Sequence, residues 1–299
     1  MLHKSKKAIP GCNQGNSSSS KGNDNSKTGS IVMPFLKWAG GKRWLTSYYA
    51  DLFPPTFSRY VEPFLGGGAV FFHLKPNVSV LSDSNFDPIR TYDQVRKNWK
   101  LIEQCLKRHQ RKHSRRYYYE ERARKHRAEH ERAAQFIYLN RVCWNGLYRV
   151  NLRGEFNVPI GTKTAVLLDT DNFEHIAKLL QGAQLIASDF EPMLDATRQG
   201  DFVFIDPPYV TRHNFNGFAK YNHRIFSWAD QERLSVAIGR AAKRGAQILI
   251  TNANHASVKY LYREIGQNRT LRRHSVLAAD ASNRSKTTEV AISINYDIE

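Results

Sequence analysis

Phe202-Val203-Phe204-Ile205-Asp206-Pro207-Pro208-Tyr209 decides the architecture of this chain. The aromatic and β-branched run that follows Gly200-Asp201 has the length and composition of a buried strand. The tetrapeptide Asp206 to Tyr209 then falls on the loop at the strand's carboxyl end, the edge where open α/β sheets bind ligands. Two consecutive prolines stiffen that loop and remove two backbone donors, which leaves carbonyl acceptors facing a ligand. Asp206 adds a carboxylate acceptor, and Tyr209 adds an aromatic face. Acceptors beside a ring suit a flat base with an exocyclic amino group: they bind its hydrogens and orient its nitrogen lone pair. Alone, the tetrapeptide also fits a proline-stiffened turn capped by an aspartate. Other segments must decide.

Upstream, Arg59 to Phe72 (RYVEPFLGGGAVFF) reads as strand, glycine-rich turn and helix, an arrangement that brings backbone close to a nucleotide-like cofactor. The run Val78 to Asp83 reads as a second strand ending in an acid, the position where such folds hold ribose hydroxyls; a helix-capping Asp83 is the alternative. Ordered structure is expected to begin near Pro34, and Gly40-Gly41-Lys42 offers close backbone approach followed by a cation. This is not a P-loop, because the leading glycine and the Ser or Thr after the lysine are absent. Further strands are expected over 183–189, 246–252, 270–276 and 289–295, with a helix over 230–242 capped by Gly245. That makes about seven strands, the last two joined as a hairpin whose tip carries Ser282, Asn283 and Lys286. Such a tip suits a phosphate backbone or an ordinary exposed loop.

The chain has 299 residues, a net charge of +18 and a pI near 9.9, which points to a polyanionic partner. No run approaches the ~20 apolar residues of a membrane span, and no N-terminal apolar stretch resembles a signal peptide, so a cytoplasmic, nucleoid-associated protein is expected. Cys12, Cys105 and Cys143 are too scattered for a disulfide framework, and no histidine pair at zinc spacing falls within a plausible ligand cluster; reduced thiols and no metal are expected. Residues 1–30 are rich in Ser, Asn, Gly and Lys and are expected to form a disordered basic tail.

Between the two halves of the α/β pattern the character changes. Val95, Trp99, Ile102 and Leu106 have helical spacing, and the segment 107–132 is densely basic with only four Glu. Its Tyr117-Tyr118-Tyr119 suits stacking or the lining of a groove; the charges suit a clamp on phosphates or a solvated helix face. Phe136 to Gly161 then runs from an apolar helix into a hairpin crowded with Asn, Arg and aromatics. Those residue types read guanine and adenine edges or wedge beside an unstacked base.

Taken together, FLKWAGGK (35–42), VEPFLGGGAVF (61–71), SDSN (82–85), YLNR (138–141), NGLYRVNLRGEFNVPIG (145–161) and DPPY (206–209) resemble the DNA adenine-N6 methyltransferases of the Dam type. The resemblance spans roughly residues 34–296 and implies an α/β, Rossmann-like methyltransferase with an inserted, mainly helical target-recognition domain bearing a β-hairpin. The implied layout is a catalytic domain over 31–90 and 165–299, with the DNA-recognition insertion over 91–164. The implied cofactor is S-adenosyl-L-methionine, held by Trp38, Ala39, Gly40, Lys42, Glu62, Pro63, Phe64, Gly66, Gly68, Asp83, Asp189, Phe190 and Asp206. Within that set Lys42 lies near the cofactor's carboxylate and Asp83 on its ribose. Asp206, Pro207, Pro208 and Tyr209 match the catalytic loop, which acts on an adenine flipped out of double-stranded DNA. Lys37, Asn145, Leu147, Arg149 and Pro159 fall on positions that read a GATC site, with Arg149 on guanine. Trp144 stands where a tyrosine is common in the family. Asn151 and Arg153 of the same hairpin, with Ser282, Asn283 and Lys286, complete the implied DNA contacts. A monomer is expected. A cytosine-N4 or RNA amino-methyltransferase, or a catalytically silent DNA-binding regulator, are the competing readings.

Overall fold

A computed structural model describes residues 32–211, 226–274 and 286–298. Strands β1 (Arg59–Glu62), β2 (Ser79–Asp83), β3 (Ala183–Ala187), β4 (Asp201–Ile205), β5 (Gln247–Ala253), β6 (Gln267–His274) and β7 (Lys286–Ile294) form one seven-stranded sheet. Its order is β3-β2-β1-β4-β5-β7-β6; the first five strands run parallel, and β7 lies antiparallel between β5 and β6. The expected Rossmann-like sheet is therefore present. From β1 the chain steps outward to β2 and β3, then returns to lay β4 on the other side of β1. The β1/β4 junction is thus the topological switch point, where loops diverge and a crevice opens for a ligand.

The apolar run of β4 is buried along its whole length because helices cover both faces of the sheet. Phe202 and Phe204 enter one core with Phe71, Phe72 and Tyr92; Val203 and Ile205 enter the other with Leu234, Ile238 and Val258. The first core is covered by α1 (Arg43–Tyr48), α2 (Ala69–Leu74), α3 (Phe86–Lys112) and α6 (Phe173–Leu180). The second is covered by α7 (Phe190–Asp195), α8 (Trp228–Lys243) and α9 (Ala256–Tyr262).

Helix α3 runs from this layered body into the helical segment that precedes β3. Asn85 caps it by accepting the Asp87 N–H at 3.1 Å, and Asn98 (φ −135°, ψ 31°) kinks it midway. It packs on β2 and β3 and against α5 (Glu129–Val142), and α4 (Arg115–Ala123), capped by the Ser114 hydroxyl, leans on α5. Tyr117 to Tyr119 take structural positions here. The Tyr118 hydroxyl, on a fully buried ring, donates to the Val158 carbonyl at 2.9 Å, and Tyr117 meets His109 Nδ1 at 2.8 Å.

Three local expectations are redrawn. Strand β6 starts at Gln267 rather than Thr270, because edge pairing with β7 uses backbone groups and needs no apolar pattern. Strand β3 stops at Ala187, and Asp189 caps α7 through the Glu191 N–H. The hairpin after α5 is held by single bridges, Cys143 to Ile160 and Val150 to Phe156, rather than by paired strands. Its turn is closed by a side chain: Asn151 Oδ1 accepts from the Arg153 and Glu155 N–H groups, with Gly154 at φ +75°. Ser282 and Asn283 lie outside the described residues; Lys286 begins β7, but its side chain is likewise outside them.

Candidate active site

Sheet register brings the site together. Ile205 pairs with Ile250, so the next residues, Asp206 and Thr251, emerge side by side at the carboxyl edge. Strand β7 runs the opposite way, and its pairing of Glu289 with Ala253 sets that acid at the same edge. Lys42 arrives from the turn before α1 and is almost wholly buried.

The resulting network is compact. Asp206 Oδ1 accepts from Thr251 Oγ1 at 2.8 Å and pairs with Lys42 Nζ at 2.7 Å. Lys42 Nζ also donates to the Gly40 carbonyl at 2.9 Å and faces Glu289 Oε2 at 3.6 Å. An ammonium has three hydrogens, so these partners occupy Lys42. The Tyr209 hydroxyl donates to Glu289 Oε2 at 2.5 Å, and the Lys42 ammonium stands 4.9 Å from its ring centroid. Burial raises the Asp206 carboxyl above its ordinary value of 3.8, opposed by the Lys42 charge and the Thr251 hydrogen bond. Asp206 Oδ2 has no hydrogen-bond or ion-pair partner among the described residues.

Next to it, across the switch point, lies the glycine turn. Gly66 (φ +46°) is packed so closely on Trp38 that a Cβ there would come within 2.5 Å of the indole. The Gly66 N–H donates to Asp83 Oδ2 at 3.0 Å, and the Asn85 N–H donates to Oδ1 at 2.9 Å. Both carboxylate oxygens are fixed by backbone yet keep lone pairs, the arrangement a ribose diol needs. Burial pushes the Asp83 carboxyl upward, and those two bonds hold it down. At the turn's root Glu62 is fully buried, accepts the Tyr60 hydroxyl at 2.9 Å, and has its carboxyl raised well above the ordinary range by burial. Phe64 stacks on Phe190 with centroids 5.5 Å apart, and the Arg233 guanidinium lies 4.2 Å from the Phe190 centroid. Arg233 also takes both oxygens of Asp189 at 2.8 and 2.9 Å. This edge fits S-adenosylmethionine in its donor set: a fixed carboxylate at the end of β2, a glycine turn at the end of β1, and aromatic rings alongside. Pro63 and Gly68 lie on that turn; Ala39 and Gly40 lie on the turn before α1.

The residues expected to touch DNA divide into two groups. Lys37, Trp144, Asn145, Leu147 and Pro159 gather around the turn that follows α5, and Arg149 lies further along the hairpin. A Cβ on Gly146 would lie 2.7 Å from Lys37 Cδ, and Trp144 N–H donates to the Pro159 carbonyl at 2.9 Å. Trp144 is 53% exposed, and Asn145 is held at φ +55°. Arg149 Nε donates to Asn157 Oδ1 at 2.8 Å, which aims the guanidinium along the hairpin. Arg153 sits exposed at the tip beside Leu152, whereas Asn151 is consumed by the turn. Trp38 stacks on Tyr148 at 5.6 Å, and Tyr148 donates to Asp87 Oδ2 at 2.8 Å, so the cluster is tied to the glycine-turn edge.

Glu289, Thr251 and Arg233 escaped the sequence reading. Glu289 left one trace: an acid beside the apolar run Val290 to Ile294. Thr251 and Arg233 left none, since their partners are set by register and helix packing. Cys105 and Cys143 are buried free thiols; among the described residues no acid, His and Cys group suits a metal, and no helix is long and apolar enough to cross a membrane.

Sheet order and switch-point site together define a Rossmann-like methyltransferase. The family model for D12 class N6 adenine-specific DNA methyltransferases matches residues 38–276, and the chain belongs to that family. It is 35% identical to the Type II methyltransferase M1.LlaDCHI of Lactococcus lactis subsp. cremoris, covering 89% of this chain and 96% of that protein. It is also 35% identical to the Type II methyltransferase M.MjaIII of Methanocaldococcus jannaschii (74% and 84% covered). Identity to the DNA adenine methylase of Haemophilus influenzae is 32% (86% and 91% covered). The protein is an adenine-specific DNA methyltransferase, DNA is its substrate, and S-adenosylmethionine is its methyl donor.

Proposed function

We propose that the protein methylates the adenine of GATC after flipping it from the duplex into the β4-edge crevice. The observation that carries this reading is Asp206, whose Oδ1 is held by Lys42 and Thr251 while Oδ2 is left to a ligand. Flipping costs about a few kcal/mol of stacking and pairing, and Tyr209 offers a face on which the freed base stacks. Asp206 and the Pro207 carbonyl accept the amino hydrogens, which orients the nitrogen lone pair and stabilises positive charge developing there. S-adenosylmethionine supplies the electrophilic methyl group. Asp83 holds the ribose through the lone pairs its backbone bonds leave open. Because its ammonium is occupied by Asp206, Glu289 and Gly40, Lys42 acts first as counter-ion to Asp206 and only marginally on the cofactor's carboxylate.

On this reading the segment 91–164 recognises DNA as a unit. Trp144 wedges into the duplex, and Lys37, Asn145, Leu147, Arg149 and Pro159 read GATC, with Arg149 on guanine. The protein works as a monomer in the cytoplasm, at the chromosome. The experiment is methyl transfer from labelled S-adenosylmethionine to duplexes carrying GATC or its scrambled sequence, followed by nucleoside analysis. N6-methyladenine confined to the GATC duplex is expected; equal label in both would overturn the assignment of the site.

A further inference from the structure

Glu289 is an acid where the sequence of β7 otherwise supplies buried Val290, Ala291 and Ile292, and it is itself only 5% exposed. Stability does not account for it. A buried ion pair replaced by well-packed apolar groups is often neutral or stabilising, because desolvation offsets the attraction. What Glu289 does instead is join two separate parts of the site, accepting the Tyr209 hydroxyl at 2.5 Å and facing Lys42 Nζ at 3.6 Å. Tyr209 belongs to a loop and Lys42 to a turn, whereas Glu289 projects from a strand paired on both sides, by β5 and by β6. A rigid element holding two side chains of less rigid segments is how a reactive geometry is fixed.

We propose that Glu289 is a positioning residue for methyl transfer: it anchors the Tyr209 ring by its hydroxyl and draws Lys42 into the place from which it orients Asp206. The proposal rests on the reading of Asp206 and Tyr209 given above. Asp206 faces Lys42 from the turn before α1, Glu62 from β1, Tyr209 from its own loop, Thr251 from β5 and Glu289 from β7. The Glu289 charge lifts the Asp206 carboxyl, so its removal lowers it.

The test compares E289Q, E289D, Y209F and E289Q/Y209F in the full-length chain, with D206N as control, by kcat, KM for DNA and the pH profile of kcat. E289Q is expected to lose about tenfold in kcat, within the range for coupled neighbours, with KM for DNA changed less than about twofold. Its acid limb moves to lower pH, and its loss is smaller in the Y209F background than in the wild type. E289D keeps the charge but withdraws it from Tyr209, so it is expected to keep the wild-type limb and lose kcat. An E289Q enzyme with wild-type kcat and limb overturns the proposal; so does a loss that is uniform with pH and additive with Y209F, the mark of a merely structural residue. If E289Q does not fold, E289D with the wild-type kcat overturns it equally. Inactive D206N alongside wild-type E289Q would leave the site reading standing, whereas fully active D206N would remove its foundation.

Discussion

Lys37, proposed above to read DNA, shows how burial tunes a lysine. Partial burial and the neighbouring Lys163 charge pull its ammonium down from 10.5 to about 8. It is charged below that value and neutral above it, so on the proposed reading its contribution to DNA binding is lost as pH rises through about 8. Anisotropy titrations of wild type and K37M should show affinity falling between about pH 7 and 9 in the wild type and a flatter, weaker profile in K37M. For Asp206, proposed as a carboxylate acceptor, the sign is opposite, and burial lifts its carboxyl. Turnover is then lost as pH falls through a value above 3.8. Thr251→Val removes a hydrogen bond that lowers it, so the acid limb of kcat should move to higher pH, read from rate profiles under saturating substrates. The Asp206 loop, Asp83 and the glycine turn were legible in the sequence because each is a local pattern at a strand end. Glu289 and Thr251 were not, because only the pairing of β7 with β5 and of β5 with β4 brings them to Asp206.

At the scale of elements, the apolar runs of β4, β5 and β7 announced their strands, and the spacing of Val95, Trp99, Ile102 and Leu106 announced part of α3. The remainder of α3, its kink at Asn98 and the polar edge strand β6 were hidden, since each is set by tertiary packing or backbone pairing. Helix α3 begins three residues after Asp83, and its cap fixes where it starts. Asn85→Ala removes that cap and should cost about 1 kcal/mol, measured by denaturant titration, with the Tm lowered by roughly 2–4 °C. The hairpin after α5 depends on the Asn151 side chain and two bridges. Its residue types were plain in the sequence, but single bridges in place of paired strands were not, since they depend on how few backbone bonds the hairpin makes.

Across the whole molecule, charge is distributed rather than spent evenly. In the basic segment Arg108, Arg116, Arg124 and Arg132 pair with nearby glutamates, and Arg122 binds the Val158 carbonyl. Arg111, Lys112, Lys125 and Arg127 are exposed and form no ion pair among the described residues, and we propose them as phosphate contacts. Neutralising these four should weaken binding to every duplex alike. Salt titrations check this: for each phosphate that goes unneutralised, the slope of log K against log salt should fall by about 0.9. At the centre of the proposed mechanism, Asp206 at the β1/β4 switch point binds the adenine amino group for methyl transfer to N6. Single-turnover methylation by D206A, alongside duplex binding by the same preparation, tests that role most directly. The predicted result is a loss of at least about 10²-fold in rate, with duplex affinity kept. A folded D206A enzyme that produces N6-methyladenine at the wild-type rate would contradict it.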